Sequence, residues 1–374
     1  MIVLGGSCAT RKMEWELRHE PPVVGTGALD TSYFADTIPE SDDIVLSDCL
    51  AHKLRIVRPT AGGGLSVVRS LGGMGAGSGE LRCPMGVACD GRGAAYVVDM
   101  GNRRIQRRSL SDGSVLSQYE ARWGRGDGEL RSPQGIALLD GLIYVCDTAN
   151  NRIVCFEDDC TGFKFVRSCT PDEAFGRLHG PTDCAGYVDT DGSAQLFVTD
   201  RYNHRVVVLR PDHGEFGFVR QIGTPGRYGN ERAGTLREPF GCAVVHPCGG
   251  PALAVSEYHG KRVQLFSMTG VAMIVVQPED GLQFRMAGLV CSPTGARVRV
   301  IDPAKDCSDG LFECSLAPAA DTSLQRRCLL ALLSQCGDAA ECDALLATLA
   351  EHSVGAALDH LELGQPGPVY RTVE

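Results

Sequence analysis

A nine-residue phrase recurs along this chain at intervals near fifty residues, and a chain written that way folds as a series of like units. The clearest copies are VVDMGNRRI from Val97, VCDTANNRI from Val145 and VTDRYNHRV from Val198. A looser copy, VSEYHGKRV, starts at Val255, and eroded ones start at Leu46 and Val300. The acids that anchor them are Asp48, Asp99, Asp147, Asp200, Glu257 and Asp302, spaced by 51, 48, 53, 57 and 45 residues.

Each unit holds more than the acidic phrase. A glycine-studded run leads to a proline, as in Gly75-x-Gly77-x-Gly79 to Pro84 and Gly124-x-Gly126-x-Gly128 to Pro133. The proline opens a short apolar segment (PMGVAC, PQGIAL, PTDCAG, PFGCAV). A second segment ends at the acid, a third follows the arginine, and a fourth precedes the next glycine run. Short runs rich in Val, Ile and aromatics, bounded by Gly, Pro, Asp and Asn, read as strands. Four strands per repeat make a propeller blade, and radial packing of blades buries both faces of each sheet. No repeat holds ten residues of helical periodicity, which excludes helical solenoids. Six anchors predict an all-β, six-bladed β-propeller of four-stranded antiparallel blades, with a short α-helical C-terminal segment.

The repeated polar residues have local reasons. The acid is expected to accept hydrogen bonds from the turn after it, and the Asn three residues on to adopt the left-handed conformation closing that turn. The Arg two residues further reaches back to the carboxylate through its planar fork. Asp48, Asp99, Asn102, Arg104, Asp147, Asn150, Arg152, Asp200, Asn203, Arg205, Glu257 and Arg262 are therefore read as structural staples. A catalytic site needs residues that differ between blades, and these recur evenly.

At these residues the chain resembles the NHL-repeat family, whose six-bladed propellers carry a Gly-rich run, Pro-x-Gly-Val-Ala and Val-x-Asp-x-x-Asn-x-Arg-Ile in that order. The likeness covers roughly residues 41–316. Asp183 replaces the Gly of Pro-x-Gly, Glu257 and Gly260 replace Asp and Asn, and Asp302 has no Asn or Arg after it. The resemblance implies a binding platform like the NHL domains of tripartite-motif proteins, in which the propeller recognises the substrate of a ubiquitin-ligase assembly.

Three regions follow: an N-terminal segment, 1–40, that offers a ring-closing strand at Met13–His19 to lie beside Leu311–Leu316; the propeller, 41–316; and an acidic helical extension, 317–374. Of the net charge of −10, the propeller carries only −2. In the extension, Leu324, Cys328, Leu332 and Cys336 fall every fourth residue, Gly337 stops that helix, and Asp338 with Glu341 opens another. The 17 cysteines include no Cys-x-x-Cys pair. Those at strand positions, such as Cys146, Cys155, Cys184, Cys242 and Cys291, are expected to pack as small hydrophobes. With no export signal and no long apolar run, the expected setting is the cytoplasm, with no membrane.

The expected function is a non-enzymatic recognition module that binds a protein partner through its loops, with no cofactor. Candidate binding residues are the basic cluster Arg103, Arg107 and Arg108 and the aromatics Trp123, Tyr202, Tyr228 and Tyr258. One alternative is a metal-dependent lyase or lactonase working in the axial channel. Amidating lyases, which resemble NHL propellers, place histidines just after the inner-strand proline, where this chain has Met85, Gln134, Thr182 and Phe240. Asp183 is the one weak metal candidate, with Gln134 as a neighbour. A second alternative is RNA binding through the arginines of the second unit, which needs a basic face.

Overall fold

The computed structural model describes residues 2–3, 32–39, 41–59, 65–159, 162–169, 176–211, 216–226, 232–246, 250–276, 288–291, 297–301 and 311–315. Contacts divide the chain into two units, and every strand described below falls in the first of them except Ser315, the last residue of its strand.

Five antiparallel sheets contain the four expected strands. The first blade is Ser32–Thr37, Ile44–Asp48, Lys53–Pro59 and Leu65–Gly72. The second is Pro84–Cys89, Ala94–Asp99, Arg104–Ser109 and Val115–Glu120. The third is Pro133–Leu139, Leu142–Asp147, Arg152–Asp158 and Phe163–Cys169. The fourth is Pro181–Val188, Ala194–Asp200, Arg205–Pro211 and Phe216–Ile222. The fifth is Pro239–Val245, Ala252–Glu257, Arg262–Ser267 and Ala272–Val276, with Ile2–Val3 added on its outer strand.

The expectation of six such blades is corrected. The propeller has five, and the sixth repeat supplies a three-stranded sheet, Leu289–Cys291, Arg297–Ile301 and Leu311–Ser315. Its first strand touches the inner strands of the fifth and first blades, so the ring of inner strands still closes. In the sixth repeat no Arg follows the acid, whereas in the first blade, which has also lost the motif Asn and Arg, Arg55 takes their place. Asp302, Met13–His19 and the expected C-terminal helices lie outside the described residues. Among the described residues the helical elements are three 3₁₀ turns of three residues each, and no helix is long and apolar enough to cross a membrane.

Burial follows radial packing. The second strands Ile44–Asp48, Ala94–Asp99, Ala194–Asp200 and Ala252–Glu257 are buried along their whole length. The outer strand Val115–Glu120 alternates between half-buried and exposed positions. A strand covered on both faces reads as continuously apolar, and an edge strand alternates.

The repeat residues form one network per blade. Asp99 Oδ1 accepts the Arg82 backbone N–H at 2.6 Å, and its Oδ2 accepts Asn102 Nδ2 and Arg104 Nε, each at 2.8 Å. Arg104 goes on to donate to the carbonyls of Ala76, Gly77 and Glu80, closing the glycine run. Asp147 repeats this with Arg131 N–H, Asn150 and Arg152, and Asp200 with His179 N–H, Asn203 and Arg205. Glu257 takes Arg237 N–H and Arg262, while Asp48 is met by Arg55 because Lys53 occupies the motif position.

Two details differ from the sequence reading. The acid holds the segment before the inner strand as well as the turn after it. The left-handed residue follows the Asn: Arg103, Asn151 and His204 have φ of 54°, 55° and 55°. That residue also bridges blades, since Asn151 Oδ1 accepts Gly180 N–H at 2.9 Å and His204 Nδ1 accepts Glu238 N–H at 3.0 Å.

Candidate functional site

The inner strands surround an axial cavity of about 490 Å³, within the range of small-molecule sites. Register defines what faces it. Ser32, Pro84, Pro133, Pro181 and Pro239 each pair with the acid of their own repeat, so they are equivalent first positions. The fifth position is Ala88, Ala137, Ala185 and Ala243 in four blades and Asp36 in the first. The third is glycine in three blades, Phe34 in the first and Asp183 in the fourth. Asp36 and Asp183 are thus the two ionisable carboxyls in a lining of small and apolar side chains and cysteines.

Both carboxyls bridge neighbouring inner strands. Asp36 accepts the N–H of Thr37 at 2.8 Å and of Cys89, in the second blade, at 2.7 Å. Asp183 accepts the N–H of Cys184 at 2.9 Å and of Cys242, in the fifth blade, at 3.1 Å. The close approach of strands here depends on glycine: a Cβ on Gly135 would stand 2.5 Å from Asp183 Cα, and one on Gly86 2.4 Å from the Gln134 carbonyl oxygen. The side-chain Oε1 of Gln134 is buried without a partner, and Gln134 does not line the cavity.

Neither Asp36 nor Asp183 has an ion-pair partner among the described residues, and no Arg or Lys lines the cavity. Burial therefore dominates. It pushes the Asp36 pKa up to about 6 against the pull of its two backbone donors. It pushes that of Asp183 up to about 7, with a further rise from the Asp36 charge. Burial and Asp36 also lift the Cys291 thiol to about 12, which keeps it protonated and inert. Phe34 lines one end, where it packs against Phe240 at a centroid distance of 5.7 Å, and Phe240 packs against Tyr33 and Tyr258.

Two carboxyls in one cavity, both held above the usual carboxylate range by burial, are candidates for acid–base chemistry. A carboxylate-assisted metal was the other reading of Asp183. Among the described residues no three His, Cys, Asp or Glu converge as ligands, so the side chains present do not fit a protein-held metal.

The other sequence candidates are scattered. Arg108 is buried and donates to the carbonyls of Gly79 and Gly113, and Arg107 pairs with Asp90 at 2.6 Å. The basic cluster thus loses two of its three members to internal contacts, leaving Arg103 exposed. Trp123 is exposed beneath Arg131, and Tyr202 is exposed beside His179 and Arg201. Tyr258 packs on Phe240, and Tyr228 lies outside the described residues. Arg201 lies over the rings of both Tyr202 and Tyr258, at 5.1 and 4.7 Å.

Sequence reasoning missed Asp36, because the first blade has no proline or glycine to announce its inner strand. The other inner-strand openings precede their acids by 14 to 19 residues. Counting back from Asp48 by that distance reaches the neighbourhood of Ser32, and the fifth residue of a strand starting there is Asp36.

The NHL repeat family model matches residues 130–156, which is the heart of the third blade. The six-bladed NHL expectation is corrected to that partial match on a propeller of five four-stranded blades. No curated protein matches the chain. Among solved structures, a luciferin-regenerating enzyme superposes with a TM-score of 0.52 at 11% identity, covering 79% of this chain and 94% of that one. A gluconolactonase from Xanthomonas campestris gives 0.50 at 15% identity, with 77% and 87% covered. A chain of a nidogen/laminin complex gives 0.47 at 19% identity, with 69% and 84% covered. At these identities the likeness is one of fold. The expectation of a non-enzymatic protein-binding scaffold is overturned all the same: of these three, the two that superpose at 0.50 or better are enzymes, and the channel expected to hold one isolated carboxylate holds two.

Proposed function

We propose that this chain is an enzyme that cleaves a C–O bond in a small, uncharged molecule held in the axial cavity, most directly the ring-opening hydrolysis of a lactone. The observation that carries the reading is the Asp36–Asp183 pair: two cavity-lining carboxyls without countercharge, with pKa values raised to about 6 and about 7. With both carboxyls lifted toward neutrality by burial, one can hold a proton while the other is ionised, and we assign Asp36 as the base and Asp183 as the acid. Asp36 takes a proton from water as its oxygen bonds to the acyl carbon, and Asp183 gives its proton to the ring oxygen as the C–O bond breaks. Proton exchange with solvent restores both groups. Among the described residues no Arg or Lys lines the cavity, which disfavours phosphorylated or carboxylated substrates. That the same fold carries a gluconolactonase and a luciferin-regenerating enzyme adds support. We place the enzyme in the cytoplasm, a reading supported by free thiols at nine described cysteines.

The test is a panel of neutral lactones incubated with the purified full chain, with acid release followed by pH-stat. Turnover with a bell-shaped pH profile, lost in both Asp36→Asn and Asp183→Asn, is expected. Mass spectrometry separates hydrolysis, where products gain water, from elimination, where they do not. Turnover undiminished in either variant, or no turnover across the panel, overturns the reading.

A further inference from the structure

A contact recurs between neighbouring blades at two junctions. The residue after the repeat acid meets the residue before the next inner strand. At the second junction Ser132 Oγ donates to Met100 Sδ at 3.8 Å, and at the fourth Arg201 pairs with Glu238 at 2.8 Å. At the first junction the same two positions are both cysteines, Cys49 and Cys83. His52 Nδ1 accepts the Cys83 N–H at 3.0 Å, so the backbones on either side are already pinned together. Both residues belong to the core cluster that spans this junction, Cys49 buried within it and Cys83 partly exposed at its margin.

We propose that Cys49 and Cys83 are a covalent modification site, at which a hydroperoxide closes a disulfide between the first and second blades. Cys83 is the one the oxidant reaches. Its sulfur bonds to one peroxide oxygen as the O–O bond breaks, giving a sulfenic acid and one water (an alcohol if the peroxide is organic). Cys49, whose thiol burial pushes up to about 12, is a poor initial nucleophile and serves as the resolving group. Its sulfur bonds to that of Cys83, the S–O bond breaks, and a second water leaves. Two thiols lose two electrons and two protons, and the peroxide is reduced.

The bond closes the chain between Cys49 and Cys83, a loop that includes the two outer strands of the first blade and the glycine run. It also fixes a junction that Asp36 spans by accepting the Cys89 N–H. A thiol pair at these positions, where the second junction has a thioether–hydroxyl contact and the fourth an ion pair, makes the first junction responsive to oxidant.

Peptide mapping of the full chain under non-reducing conditions, after stoichiometric hydrogen peroxide, tests this directly. The Cys49 and Cys83 peptides should appear joined, two hydrogens lighter than the pair, and separate again with dithiothreitol. Oxidised wild type should melt about 5 °C or more above reduced, and Cys83→Ser should show neither the joined peptide nor the rise. Bridging at Cys146 and Cys184 instead, Cys83 carried to a sulfinic acid with Cys49 still reduced, or both thiols unchanged would each overturn the proposal. Wild-type mapping decides the matter even where a variant folds poorly, and it is independent of any activity.

Discussion

Replacing Asp183 by Asn should make the protein more stable at pH 8 and less stable at pH 4. Folding raises the pKa of this carboxyl from 3.8 to about 7. The folded state therefore binds more protons than the unfolded chain between those values, and stability falls as pH rises through the window. At about 1.4 kcal/mol per unit, roughly three units make the buried charge cost about 4 kcal/mol above pH 7. Asn removes that cost, but its single oxygen can serve only one of the Cys184 and Cys242 N–H groups. A buried donor left without a partner costs about 1–3 kcal/mol. The net expectation is a gain of about 1–3 kcal/mol at pH 8. Below pH 4, where the wild-type carboxyl is neutral folded or unfolded, a loss of about 1–3 kcal/mol remains. Urea unfolding followed by tryptophan fluorescence at pH 4, 6 and 8 should show the two stability curves crossing. A variant weaker than wild type by the same margin at all three would refute the reasoning, because it would mean the Asp183 pKa is not raised by folding. A residue that lowers stability where it sits is held there for another reason, as functional groups commonly are.

Two further outcomes follow from the same contacts. Arg152→Ala should cost about 3–5 kcal/mol by urea unfolding, because it strands the fully buried Asp147 and three carbonyls of the glycine run; a loss near that of a surface ion pair would contradict the clamp. Gly135→Ala should cost at least about 1–3 kcal/mol and abolish lactone turnover, because its Cβ would press into the backbone and carboxylate of Asp183; an unaltered melting temperature with full activity would show that the inner strands are not so closely set.

The repeat made the blades legible, because a four-stranded sheet is specified locally: the strand pattern, the turn chemistry and the Asp–Asn–Arg clamp all act within one unit. Where the clamp was intact, in the second to fourth blades, strands and register follow the motif. After Asp302, where no Arg follows, the described residues form three strands rather than four, and counting anchors overstated the number of full blades. The arginines of the second unit misled for a related reason. Sequence proximity grouped Arg103, Arg107 and Arg108, yet strand alternation sends Arg107 and Arg108 to opposite faces and buries the second.

By itself the sequence determined the all-β class, the blade as the unit, and the residues that staple each blade, since those depend on contacts within about fifty residues. Only the tertiary structure decided the site. Asp36 and Asp183 lie three blades apart along the chain, and neither strand alone shows that both face one cavity. Ring closure brings them to one cavity, removes them from water without a countercharge, and so turns two ordinary carboxyls into groups that titrate near neutrality.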